Sequence, residues 1–270
     1  MVTSGYNWSQ SNCEVVVAAW LRGHKMRALA KSPYRRRMDL FEAMRTNPAC
    51  RSFTDEPVDP ALLHHILDAA RFAPSGGNTQ PWRVINVADP AKRLALQGLA
   101  SEVWTEYVTI REAGFRPFSV GEDGKTRGYP NDLPIPTTMR TDGVIGAMVD
   151  APVLLVVAVE LPKLAMMDID LDRKTFIAGA TIYPFCQNIL LGARSVGLGS
   201  VLATFLGRKE TQTKAILNLP QRFGVAAMIA LGHPTQRITK LNRHPVETFT
   251  TMDTFDGEPF APSVSAGFAP

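Results

Sequence analysis

Cysteine is scarce: Cys13, Cys50 and Cys186 are scattered through 270 residues with no CxxC pair. That spacing argues against a disulfide framework and a thiolate zinc site, and it suits a reducing compartment. Apolar runs such as Val153–Val159 and Val225–Leu231 stop far short of the ~20 residues that a membrane-spanning helix needs. A soluble, cytoplasmic protein with no membrane role is therefore expected. No GxSxG element is present, and the five histidines show no partner pattern for a nucleophilic triad. His64 and His65 lie in an amphipathic segment with no second ligand at i+4, so no metal site is assigned. Gly197-Leu-Gly199 lacks the third glycine of a dinucleotide fingerprint and follows a helical pattern instead of a strand, which removes the Rossmann reading.

Charge is present but lopsided. The formal net charge is +4, yet Arg22, Lys25, Arg27, Lys31, Arg35, Arg36 and Arg37 stand against Glu14 alone in residues 1–37. The rest of the chain is slightly acidic, which argues against a nucleic-acid-binding surface that works by phosphate neutralisation. The basic N-terminal stretch is read as an extension. It is a loosely ordered segment, a surface-binding helix, or sequence upstream of a natural start at Met38, and the first and third fit better because Met38 directly precedes a well-marked helix.

Along the body, Asp39 with Glu42 three residues later reads as a capping box, and Leu40, Phe41 and Met44 give one apolar face to a helix ending before Pro48. Asp59-Pro60 and Asp89-Pro90 each pair an N-cap with proline at the first helical position, predicting helices to Phe72 and over roughly 90–99. Strands are predicted at 82–87, 153–159 and 225–231, a long helix from Asp172 to Ser195 broken at Pro184, and a short helix over 208–217. Helices and strands do not alternate strictly, so an α+β layer arrangement fits better than a doubly wound sheet. Residues 111–145 are rich in Gly, Pro and charge, the composition of a lid or binding loop. The tail from Thr250 has too few apolar residues for its own core and suits packing on a partner.

Three segments offer chemistry. Ala73-Pro-Ser-Gly-Gly-Asn-Thr-Gln-Pro-Trp82 combines two glycines, which permit close backbone approach, with hydroxyl and amide groups; an ordinary helix-to-strand turn would use the same residues. Arg45 and Arg51 flank a helix end and a turn, an arrangement open to phosphate or to solvated dipole partners. Arg237-Ile-Thr-Lys240-Leu-Asn-Arg243 is a basic segment after the last strand, with the same two readings.

Taken in order, Arg45, Arg51-Ser-Phe53, Pro74-Ser-Gly-Gly-Asn-Thr-Gln-Pro-Trp82, Gly197-Leu-Gly199-Ser200, Leu231-Gly-His-Pro234, Lys240 and Arg243 resemble the FMN-dependent nitroreductase family over about residues 38–250. The resemblance implies an α+β sandwich with a mostly antiparallel sheet flanked by helices, and an interlocked homodimer with FMN at the subunit interface. It implies that Arg45, Lys240 and Arg243 hold the FMN phosphate, with Thr46 as a helper. Arg51 would face the flavin N1/O2 edge, while Ser75, Gly76, Gly77, Asn78 and Gln80 would line the cofactor from the partner subunit. Ser200 and Thr204 would lie on the N5/O4 side. The chain departs from the family's tight Arg-Arg-Ser-x-Arg run by separating Arg45 from Arg51 by six positions.

The implied activity is ping-pong hydride transfer from NADPH or NADH through FMN to a small aromatic acceptor such as a nitroaromatic or quinone. The flavin carries that chemistry, so no catalytic side chain is assigned. The alternatives are reductive dehalogenation or flavin cleavage on the same fold, a flavin-binding protein without turnover, and an anion-binding protein whose basic N-terminus is the functional part.

Overall fold

The computed structural model describes residues 38–142, 145–146 and 150–261. The basic extension and the end of the tail lie outside the described residues. Four strands form one antiparallel sheet in the order β1-β2-β4-β3: β1 Trp82–Asn86, β2 Val153–Glu160, β3 Gly199–Ala203 and β4 Phe223–Gly232. Of the helices, α1 is Leu40–Arg45, α2 Pro60–Ala70, α3 Pro90–Glu112, α4 Tyr183–Ser195, α5 Phe205–Arg208 and α6 Glu210–Leu217.

The apolar runs in β2 and β4 are explained by burial on both faces, as in any sheet covered on two sides. Leu155, Val157 and Val159 point to one face with Ile229, and meet Leu62, Leu63 and Ile66 of α2 and Phe185, Cys186 and Ile189 of α4. Leu154 and Val156 point to the other face with Met228 and Ala230, and meet Leu96 and Ala100 of α3 and Leu206 of α5. The result is the α+β sandwich that the pattern predicted, with two cores separated by the sheet. Cys50 and Cys186 are free and buried, and burial pushes the Cys186 thiol up to about 12. No helix among the described residues is long and apolar enough to cross a membrane.

Capping follows the sequence. Asp39 accepts from the Phe41 and Glu42 amides at 3.0 and 3.3 Å, Asp59 from Ala61 at 2.8 Å, and Asp89 from Ala91 at 2.9 Å. Three expectations need correction. The helix from Pro90 runs to Glu112, because Ala100, Val103 and Val108 continue a buried stripe beyond Gly98, whose Cβ position faces open space. Residues 172–182 do not extend α4. That stretch instead follows a turn built around Asp168, and a short 3-10 turn, Ile177–Thr181, precedes the helix. Gly199–Ala203 is a strand too short and glycine-marked to stand out in the sequence. On α1, Leu40, Phe41 and Met44 are 61, 64 and 55% exposed, and only Ala43 is buried. Among the described residues, the apolar face of α1 is left exposed.

The described part of the 113–142 insertion is irregular, as predicted, but it is anchored. Phe118 packs edgewise between Tyr107 and Tyr129 at 6.1 and 6.4 Å. The Arg140 amide donates to Thr105 Oγ1 at 2.8 Å, and its guanidinium pairs with Glu112 at 3.1 Å. The insertion also meets the Asp168 turn, where the Lys174 amide donates to Gly124 O at 2.8 Å.

The Asp168 carboxylate is buried and accepts from Thr175 Oγ1 at 2.6 Å, Arg173 Nη1 at 2.7 Å and the Phe176 amide at 3.1 Å. The Thr175 hydroxyl first, then Arg173 and the backbone amides, hold it well below the usual carboxylate range. A carboxylate depressed in the folded state stabilises above its unfolded value near pH 4 and loses that contribution as pH falls. Asp168→Asn should therefore lower Tm by a constant amount above about pH 5. The gap to the parent should narrow below about pH 4, as read by calorimetry across that range.

Candidate functional site

The site is built where a segment without regular structure is clipped to the sheet edge. The Cys50 amide donates to Ser200 O of β3 at 2.9 Å, and the Thr54 amide to His233 O just after β4 at 2.8 Å. The Thr235 amide closes back on Ser52 O at 3.2 Å. Cys50 lies so close to β3 that a Cβ on Gly199 would fall 2.6 Å from its sulfur. Only a residue without a side chain fits there, which is a packing role for a glycine that the sequence alone presents as a loop signal.

Clipping the 49–54 segment leaves a groove in three parts. The first, about 500 Å³, lies between Asn47–Ser52, Arg194 and the 234–238 segment. The second, about 470 Å³, shares Arg51 and Trp104 with the first and is walled by Tyr107, Arg111 and Val201–Phe205. The third, also about 470 Å³, shares Tyr107, Thr204 and Phe205 with the second and ends at Phe118 and Arg208.

Cations dominate this groove. Arg194, in the last turn of α4, is 7% exposed. Its Nε and Nη2 donate to Thr46 Oγ1 at 3.0 and 2.9 Å, while Thr46 in turn donates to Glu42 O at 2.6 Å. Burial, and then the neighbouring Arg237, push the Arg194 guanidinium down from its ordinary value. Among the described residues, Arg194, Arg237, Arg51 and Arg111 form no ion pair with a carboxylate; Arg208 does, with Glu106. A buried guanidinium held by a neutral hydroxyl beside a second guanidinium favours an anion.

The structure divides the residues singled out in the sequence. Arg51 and Thr204 line the middle of the groove, and Thr46 reaches the first part through Arg194. Arg45, Lys240 and Arg243 are exposed beside it and outside its lining, with Arg243 Nη1 donating to Asn242 O at 2.7 Å. Ser200 is buried with an unpartnered hydroxyl, so only its backbone serves the site. Ser75, Gly76, Gly77, Asn78 and Gln80 form a separate loop outside the groove lining. Gly77, Asn78 and Gln80 all have positive φ, at 59, 54 and 44°. The Gln80 amide donates to Ser75 Oγ at 3.0 Å, and Gln80 Nε2 to Asn78 Oδ1 at 3.1 Å. This self-bonded loop presents polar groups outward at a cost in backbone strain, a pattern seen where a ligand or partner is met.

Arg194, Arg237, Trp104, Tyr107 and Arg111 are site residues not assigned from the sequence. Arg237 sat in the basic segment already noted. Trp104, Tyr107 and Arg111 share one face of α3 at i, i+3 and i+7, a signal hidden by ending that helix at residue 99.

The groove of this α+β sandwich has guanidinium groups at one end and aromatic rings toward the other, a shape and charge suited to a long, planar, anionic ligand. The nitroreductase family model matches residues 45–233. A protein of Thermus thermophilus described as NADH dehydrogenase is 31% identical over 212 residues, covering 78% of this chain and 94% of that protein. The nitrobenzene nitroreductase of Ectopseudomonas oleovorans is 29% identical, covering 78% and 95%. The NADPH:FMN oxidoreductase of Vibrio harveyi, solved with NAD+, superposes with a TM-score of 0.57 at 21% identity, covering 80% and 77%. The chain belongs to the nitroreductase family and is an NAD(P)H-dependent oxidoreductase.

Thr46→Val would remove the acceptor of a buried guanidinium while keeping its shape. The expected loss is about 1–3 kcal/mol of unfolding free energy in a denaturant titration, the cost of an unmatched buried donor.

Proposed function

We propose that the chain reduces nitroaromatic, quinone or similarly electron-poor acceptors by ping-pong turnover as a homodimer, using FMN as cofactor and NADH or NADPH as donor. When bound, FMN supplies two-electron transfer between the nicotinamide and the acceptor. The observation that carries this reading is the row of groove arginines without carboxylate partners.

The residues present fit FMN. Arg194 and Arg237 bind the dianionic phosphate, joined by Arg45, Lys240 and Arg243 from the flanking segments. Arg51, where the first two parts of the groove meet, would stabilise negative charge on the flavin ring. The backbone of Val201–Thr204 would line the same ring. Ser75, Gly76, Gly77, Asn78 and Gln80 lie outside the groove of their own chain and complete the site of the second copy.

A second copy also accounts for the uncovered apolar face of α1 and for Phe72, which is 73% exposed at the start of that loop. The tail, where Phe255 projects into solvent, packs on the partner in the same reading. The insertion roofs the acceptor end. No side chain is asked to act as acid, base or nucleophile.

Purified protein should be yellow and should bleach on anaerobic addition of NADPH or NADH; a colourless protein that cannot be reconstituted with FMN would overturn this reading. Arg45→Ala and Arg243→Ala should each weaken FMN binding by about 1.5–3 kcal/mol in a fluorescence titration of the apoprotein, the scale of charged hydrogen bonds. Light scattering should give a dimer, and an FMN-loaded monomer would refute the shared site.

A further inference from the structure

The FMN reading, on which this inference rests, uses Arg194, Arg237, Arg51 and the Val201–Thr204 backbone, and it leaves open which acceptors the far end of the groove favours. The wall there is aromatic. Trp104 stacks on Tyr107 at 5.2 Å, Phe205 stands tilted to Trp104 at 6.0 Å and edgewise to Tyr107 at 6.4 Å, and Phe118 closes the end. Arg111 lies one helical turn beyond Tyr107 and lines the same middle chamber.

Among the described residues Arg111 forms no ion pair, while the carboxylates of its helix are taken. On the second half of α3, Glu102 pairs with Lys209 at 2.5 Å, Glu106 with Arg208 through Nε at 2.7 Å, and Glu112 with Arg140 at 3.1 Å. Asp142 accepts from Trp104 Nε1 at 3.4 Å and forms no ion pair with Arg111. The exposed Arg111 is therefore surplus positive charge on the wall of the middle chamber. An anionic group on a ligand would match that charge, and a cationic one would be repelled by it.

We propose that this end of the groove selects an aromatic electron acceptor carrying a carboxylate, with Arg111 binding the carboxylate and the rings of Tyr107, Phe118 and Phe205 holding the arene.

The test uses the FMN-loaded protein with 4-nitrobenzoate and its neutral counterpart 4-nitrobenzamide, each taken with NAD(P)H and a proton to the nitroso compound, NAD(P)+ and water. The parent should show a lower KM for the acid. In Arg111→Gln the ratio of acid KM to amide KM should rise about tenfold or more, the scale of one charged hydrogen bond, and Arg111→Lys should recover part of it. Calorimetric titration with benzoate and benzamide, which are not turned over, should show the same discrimination and its loss in Arg111→Gln.

An unchanged KM ratio, or a raised KM for NADPH with the acid unaffected, would overturn the assignment, the latter placing Arg111 on a nicotinamide phosphate. Failure to take up FMN, or inertness toward both acceptors with either nicotinamide, would instead overturn the underlying function. Benzoate binding that is insensitive to Arg111→Gln would sink the Arg111 assignment on its own.

Discussion

The close approach of Cys50 to Gly199 is the constraint on which the site depends. Because β3 offers no side chain at that point, the 49–54 segment lies against the sheet edge and bonds to Ser200 and His233 as though it were part of the sheet. Arg51 is thereby fixed between two chambers, and the groove gains a floor of backbone. A methyl group at residue 199 would have to push that segment outward, disturbing the whole groove instead of one contact.

Much of the fold was legible before the structure. Asp-Pro pairs at 59–60 and 89–90, the two apolar strand runs and the irregular insertion all encode local preferences that tertiary packing then respects. The failures are equally physical. The helix from Pro90 reads as ending near residue 99 although its buried stripe continues through Ala100, Val103 and Val108, and the helix expected from Asp172 is displaced by a turn that the buried Asp168, four residues earlier, organises through side-chain bonds. The α1 stripe is apolar as read, yet Leu40, Phe41 and Met44 stand exposed, because an apolar face does not by itself say what covers it.

The site divides along similar lines. Arg51 and Thr204 were placed by family resemblance and do meet in one chamber. Arg194 was not, since a base in the last turn of a helix ordinarily faces solvent and the macrodipole; here the helix buries it against Thr46. The net charge of +4 stems from the N-terminal stretch, whose bases lie outside the matched family region, so it carries no argument for a polyanionic partner of the matched region.

The chambers share walls unequally, and that matters for how such a protein can change. Trp104 and Arg51 belong to two chambers, as do Tyr107, Thr204 and Phe205, so replacing any of them alters two chambers at once. Pro117 and Phe118 border only the last chamber and sit on the insertion, outside both cores. Divergence in acceptor range has an inexpensive route there: the insertion can be rewritten by mutation or exchange while the cofactor end and the sandwich beneath it stay constant.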